Sequence, residues 1–193
     1  ILFMSLFHSD AFLAFLSRDF SLPSVNQLCL ILTILIQEVV IAYSIYQLTQ
    51  NPLSLGMIAL IELLPFICLS LISGDWADRY NRQKIVQWSF SCSTLIPLLF
   101  IVLFSQYQQQ HIQQNTLLCG IYSLIFCLGI LRGIYSPSFN SLRPFLTPES
   151  AYSNAATWTA LIWQMGGILA PLCAGLLLGQ LGLEKTLLIV FLL

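Results

Sequence analysis

Three charged side chains stand alone inside long apolar runs of this sequence. Glu38 and Glu62 lie near the middle of two such runs, and Arg132 lies in a third. A charge at the centre of a bilayer costs about 2.5–3.5 kcal/mol on insertion scales, so such residues normally pair with one another or face a watery cavity. Either glutamate is therefore a candidate proton carrier, and Arg132 is a candidate partner for a carboxylate.

Both assignments have a structural alternative. Glu38 or Glu62 can be a protonated packing residue, or can shape a substrate pocket without titrating. Arg132 is close to the end of its apolar run, so its long side chain can also reach the membrane surface without a partner.

A polar stripe accompanies Glu38 along its run. Asn26, Thr33, Gln37 and Ser44 are spaced by 7, 4 and 7 residues, which places them on one face of a helix. A helix that is polar on one side, in a chain with so few charges, is expected to face a cavity. We therefore predict a proton or substrate site that contains Glu38, Glu62, Gln37, Thr33 and Asn26.

The composition indicates which elements hold these residues. Of 193 residues, 58% are hydrophobic and 8% are charged, whereas soluble domains carry about 25% charged residues. So few charges cannot cover a surface in water, and the lipid bilayer is the expected partner. The net charge of −1 predicts no nucleic-acid partner. The six cysteines lie in apolar runs without zinc-type or disulfide-framework spacing, and the two histidines are isolated, so no metal site is expected. No cofactor is expected beyond a proton gradient.

Apolar runs of about 20 residues can cross a bilayer as helices. Five complete candidates occupy residues 24–49, 53–73, 85–104, 116–136 and 157–180, and a sixth, 183–193, is truncated. We expect a cytoplasmic lead-in at 1–22 and a transmembrane bundle at 23–193. The residue types Thr147, Pro148 and Glu149 are typical of a helix N-terminus and predict a short helix before the fifth span.

Basic residues predict the orientation of these spans. Lys185 falls on one side of the bundle, and five basic residues fall on the other: Arg18, Arg79, Arg82, Lys84 and Arg143. Because Lys and Arg accumulate on the cytoplasmic side of a membrane, the N-terminus is predicted to be cytoplasmic.

The segment between the second and third spans resembles a signature of the major facilitator superfamily. That signature is Gly, three residues, Asp, a basic residue, one residue, Gly, then two or three basic residues. The chain has Asn81 at the second Gly, and Asn is the other residue that best tolerates a left-handed turn. The resemblance implies a conformational latch in which Asp78 meets a helix of the other half of the molecule; an ordinary loop of cytoplasmic charges is the alternative. The latch residues are Gly74, Asp78, Arg79, Asn81, Arg82 and Lys84.

Arg132 resembles the fourth-span arginine of the same superfamily, although the Gln-Gly that usually follows is missing. The implied role is electrostatic coupling, either to Asp78 or to an acid that carries protons.

A group of small residues in the fifth span resembles the exporter-associated signature of this superfamily. The matching residues are Gly166, Ala170, Pro171, Ala174 and Gly175, with alanines at two positions where the signature has glycine. Small residues one turn apart let two helices approach closely. Generic packing, without any bearing on transport direction, is the alternative.

These resemblances run from about residue 11 onward and imply an all-α membrane protein. The implied fold is the N-terminal six-helix half of a twelve-helix transporter, with its sixth helix truncated and its C-terminal half as a missing partner. The turn Tyr46-Gln47-Leu48-Thr49 and the pair Asn154-Ala155 resemble the branch of bacterial drug and siderophore exporters. This resemblance implies proton-coupled export of a small-molecule substrate across the inner membrane by alternating access. The alternatives are a uniporter or importer of sugars or metabolites, and a six-span protein that does not transport. No nucleophile–base pair or phosphate loop supports an enzyme.

Overall fold

Long helices make up the described part of the chain. A computed structural model describes the backbone at residues 18–79, 81–146 and 152–192, and the side chains at 28–75, 79, 81, 83–137 and 160–192. Within these ranges the chain has no strand, and its helices are α1 (Arg18–Thr49), α2 (Leu53–Arg79), α3 (Arg82–Gln108), α4 (Gln114–Leu146) and α5 (Tyr152–Leu192). The prediction of an all-helical protein is confirmed.

Every one of these helices contains a segment that is long and apolar enough to cross a membrane. The five segments are Leu28–Thr49, Leu53–Asp75, Gln83–Gln108, Gln114–Pro137 and Ala160–Leu192. The helices extend beyond the apolar runs, because a helix can continue into water once its polar side chains are solvated. Part of the predicted lead-in, 18–22, therefore belongs to α1, whereas residues 1–17 and the predicted helix start at 147–149 lie outside the described residues.

The segment between the second and third predicted spans, 74–84, is mostly helical. α2 continues through Gly74 to Arg79, and α3 begins at Arg82. Arg79 Nε is 3.0 Å from Asp75 Oδ1, one helical turn away, and such i,i+4 pairs support a helix where its side chains reach water. Hydropathy marks where the apolar run ends, but it does not mark where the helix ends.

α5 is interrupted at Gly182, where φ is 77° and ψ is 178°. This backbone region is essentially restricted to glycine. The break separates a long helix at 152–181 from a short one at 183–192, which rises only about 15 Å at 1.5 Å per residue. The short helix begins where the sixth span was predicted, and its Leu187 and Val190 are buried in the core beside Phe100.

The helices pack in two main pairs, α2 against α4 and α1 against α5, and α3 contacts both α4 and α5. Val40, Ile45, Phe100, Leu117 and Ile121 are fully buried at the centre of the bundle. The outer surface is apolar as well, most of all on α2 and α5. Helices that are apolar on all sides are expected in a bilayer.

α2 and α4 lie unusually close together. A Cβ added at Gly129 of α4 would overlap the carbonyl oxygen of Glu62 and lie 2.7 Å from Cγ of Pro65. One turn later, the Gly133 carbonyl accepts a 2.7 Å hydrogen bond from Ser73 Oγ, which is buried. Two glycines four residues apart thus let the backbones of two membrane helices touch.

Candidate functional site

Arg132 lies between two glutamates that belong to different helices. Its Nη2 is 2.5 Å from Oε1 of Glu38 on α1, and its Nη1 contacts Oε1 of Glu62 on α2. The Arg132–Glu62 contact is an ion pair only, because Glu62 Oε1 accepts no hydrogen bond from the described residues. The guanidinium on α4 therefore links three helices, and we call Glu38, Glu62 and Arg132 the charge cluster.

The charge cluster is not electrically balanced when both glutamates are ionised. Two carboxylates then face one guanidinium, and Arg132 is the only cation among the described residues that line the adjoining cavity. An excess charge in apolar surroundings is costly. The Glu38 side chain is 39% exposed and that of Glu62 is 19% exposed, so Glu38 is the more accessible acid.

The charge cluster forms part of the wall of a cavity of about 120 Å³. Most of the remaining wall is apolar and comes from all five helices, with Phe191 contributed by the short helix after Gly182. Sites for drug-sized ligands measure about 300–1,000 Å³. The described residues thus enclose room for water or a small group, not for a whole amphipathic substrate.

The polar stripe of α1 is only partly available to a ligand. Thr33 Oγ1 donates to the carbonyl oxygen of Cys29 at 2.8 Å, and Ser44 Oγ donates to that of Val40 at 2.7 Å. Such bonds to the preceding turn use the hydroxyl hydrogen within the helix. Gln37 is buried at the cavity wall, and its Nε2 has no hydrogen-bond partner among the described residues. The Asn26 side chain lies outside the described part of the chain.

Asn81 differs from the expectation for the predicted latch. Its φ is −66° and its ψ is 106°, so it does not form a left-handed turn. Its side-chain oxygen accepts from the backbone N–H groups of Gln83 at 3.0 Å and Lys84 at 3.4 Å. Asn81 is therefore the N-cap of α3, a position that requires extended backbone and a side-chain acceptor.

The remaining latch residues are described unevenly. Gly74 lies within α2, Arg79 is paired with Asp75, and Lys84 is exposed in the first turn of α3. The side chains of Asp78 and Arg82 lie outside the described residues. The latch role of this segment stays a prediction.

The small-residue motif of α5 divides between two faces. Ala170 and Ala174 are fully buried, and a Cβ added at Gly166 would overlap Cγ2 of Ile31 on α1. Pro171 is exposed, and so is Gly175, which has open space beside it. One face of the motif therefore packs against α1, and the other is free of contact within the described residues.

Two groups of residues beside the charge cluster were not predicted from the sequence. Gly129 and Gly133 flank Arg132 on α4 and hold it against α2; their i,i+4 spacing within an apolar run was the available signal. Tyr135 lines the cavity one turn beyond Arg132, and its ring centroid is 5.0 Å from that of Phe90 on α3. Nothing in the sequence pairs these two rings, because the contact depends on how α3 and α4 pack.

The five apolar helices are those of an integral membrane protein. Among the described residues, no group of three or more His, Cys, Asp or Glu side chains is placed to hold a metal ion. The model of the Major Facilitator Superfamily matches residues 11–193. The chain therefore belongs to this superfamily.

Characterised and uncharacterised bacterial transporters are similar to the chain. It is 26% identical over 132 residues to the uncharacterized MFS-type transporter YkuC of Bacillus subtilis, and 25% identical over 129 residues to the staphyloferrin A transporter of Staphylococcus aureus. These matches include 66% and 67% of this chain but only 28% and 31% of the relatives. No solved structure matches the chain significantly.

Proposed function

We propose that this chain is the N-terminal half of a proton-coupled secondary transporter that exports small molecules by alternating access. The observation that carries the proposal is the charge cluster, in which two glutamates share one arginine beside a cavity inside the bundle. One of the glutamates is in excess, and a proton is the smallest cation that neutralises it.

Protonation of the cluster changes how three helices are held together. With both glutamates ionised, Arg132 binds α1 and α2 at once. When one glutamate is protonated, its attraction to the guanidinium weakens, and α4 keeps a strong electrostatic link to only one of its two neighbours. A proton can thus bias the packing of α1 relative to α2 and α4, which is what coupling to a conformational change requires.

The second half of the transporter is proposed from the unpaired faces of the bundle. Exposed glycines with no atom within 4 Å of an added Cβ occur on α2 at Gly56 and on α5 at Gly167, Gly175 and Gly179. Small residues on an exposed face of a membrane helix favour close packing by another helix.

The proposal also covers the membrane in which the protein lies and the class of its substrate. The basic residues support a cytoplasmic N-terminus, with Asp78 of the predicted latch on the same side. The bacterial relatives support the inner membrane of a bacterium. The similarity to a staphyloferrin A transporter supports siderophores as candidate substrates, beside the amphipathic drugs implied by the sequence resemblance.

The proposal is tested by transport in proteoliposomes that contain the full-length protein and carry an imposed pH gradient. A panel of dyes, antibiotics and siderophores identifies a substrate, and Glu38→Gln and Glu62→Gln are then compared with the wild-type protein. At least one of these variants is expected to transport at a rate that no longer depends on the pH gradient. Glu184→Gln, which changes an exposed glutamate near the break in α5, is the matched control and should keep the dependence.

Unchanged gradient dependence in both cluster variants would show that neither glutamate carries the coupling proton. Transport by the wild-type protein that is indifferent to the gradient would instead favour a uniporter.

A further inference from the structure

A second groove, which we call the outer groove, lies between α3 and α4. Its volume is about 560 Å³, within the range of about 300–1,000 Å³ that is typical of ligand sites. It shares no lining residue with the cavity of the charge cluster. It is lined by Asn81, Lys84, Ile85, Trp88, Ser89, Cys92, Leu131 and Ile134.

The outer groove is polar at one end and apolar along the rest of its length. Asn81 and Lys84 lie at the start of α3, where its apolar segment begins at Gln83. Cys92 lies eight residues after Lys84, which corresponds to about 12 Å along the helix axis. The groove therefore runs from the membrane surface into the hydrocarbon layer, and its occupant must have a polar end and an apolar body.

Trp88 lies along the wall of the outer groove and is 74% exposed. A tryptophan one turn inside a membrane helix is placed at headgroup depth, where its indole is preferred. Its exposed ring offers a flat apolar surface beside the polar end of the groove.

The polar end of the outer groove favours an anion. Among the described residues of the lining, Lys84 is the one charged side chain and none carries a carboxylate. The N-terminus of α3 adds the positive end of its helix dipole. Asn81 already uses its side-chain oxygen as the helix cap, which leaves its amide NH₂ as the donor to an anion.

We propose that the outer groove binds one anionic glycerophospholipid. Lys84 and the Asn81 amide hold the phosphate, while an acyl chain lies along Trp88 and Cys92 of α3 and against Leu131 of α4. Because its occupant contacts both helices, the lipid holds α3 against the helix that carries Arg132. The outer groove shares no described lining residue with the cavity of the charge cluster, and the lipid site does not depend on the proposed function.

The proposal is tested by native mass spectrometry of the full-length protein in detergent. Phosphatidylglycerol is titrated against phosphatidylcholine with the same acyl chains, for the wild-type protein and for Lys84→Gln. A lysine near a membrane surface contributes about 1 kcal/mol to the binding of anionic lipid, so Lys84→Gln should weaken the first phosphatidylglycerol site roughly fivefold. Lys185→Gln, at another exposed lysine, is the matched control and should leave this site unchanged.

A second variant tests the apolar part of the outer groove. Trp88→Ala should weaken the binding of both lipids, and its exposure makes it a mild change for the fold. Inorganic phosphate should not displace the bound lipid, because it lacks an acyl chain. Equal loss of phosphatidylglycerol in Lys84→Gln and Lys185→Gln, equal affinity for the two lipids in the wild-type protein, or displacement by phosphate would each overturn the proposal.

Discussion

The contact between α2 and α4 at Gly129 can be tested by adding a single methyl group. In Gly129→Ala, the new Cβ would overlap the carbonyl oxygen of Glu62 and lie 2.7 Å from Cγ of Pro65. The oxygen belongs to the backbone and the ring is held by its own helix, so neither can rotate away. The two helices must instead move apart by about 1 Å to restore ordinary contact distances near 3.5 Å.

The magnitude of this effect has two opposing parts. Forcing an extra methyl group into a tight contact costs about 1–3 kcal/mol. Replacing glycine by alanine within a helix stabilises the folded state by about 0.5–1 kcal/mol. We expect a net loss of about 1–2 kcal/mol in the free energy of unfolding. The same separation draws Arg132, three residues along α4, away from Glu62, so the proposed transport activity should fall as well.

Thermal unfolding followed by circular dichroism, and transport in proteoliposomes, measure the two consequences. Gly167→Ala is the matched control, because it lies in a helix with no atom within 4 Å of an added Cβ; it should be as stable as the wild-type protein or slightly more so. Gly133→Ala should be intermediate, since its Cβ would lie 3.0 Å from the Phe66 carbonyl oxygen. If Gly129→Ala matches Gly167→Ala in both stability and transport, α2 and α4 do not touch at this position.

Two further predictions concern the backbone and a buried hydrogen bond. Gly182→Ala should lower the unfolding temperature, because φ of 77° with ψ of 178° costs a non-glycine residue about 1–3 kcal/mol; Gly179→Ala, in the helical part of α5, is its control, and equal transition temperatures would argue against the break. Ser73→Ala removes the hydrogen bond to the Gly133 carbonyl and should cost about 1–3 kcal/mol in chemical unfolding, since a buried acceptor loses its donor. Ser70→Ala, which removes only a bond within α2, should change the unfolding midpoint much less.

Much of the fold could be predicted from hydropathy. The apolar runs fixed which segments cross the membrane, because the cost of exposing a polar backbone or charged side chain to lipid acts on each segment separately. The ends of the helices could not be predicted in this way. At 74–79 the chain is polar, yet it stays helical and forms the Asp75–Arg79 pair, since helix formation outside the membrane follows local side-chain contacts.

The charge cluster was predicted only in part. That Glu38, Glu62 and Arg132 needed partners followed from their position in apolar runs. The sequence left open whether Arg132 coupled to Asp78, coupled to an acid within the membrane or reached the surface alone. The structure brings it to both glutamates. The choice depends on how α1, α2 and α4 are rotated about their axes, and hydropathy does not specify rotation.

The sequence by itself thus determined that this protein lies in a lipid bilayer and that it is all-helical. It also determined which charged residues needed partners in lipid. These follow from transfer free energies that are nearly independent of the rest of the chain. The tertiary structure alone decided that the motif of α5 has only one face against α1 and that Gly129 brings α4 onto α2. Each of these depends on the distance between two elements, which is set when whole helices pack and not by any one segment.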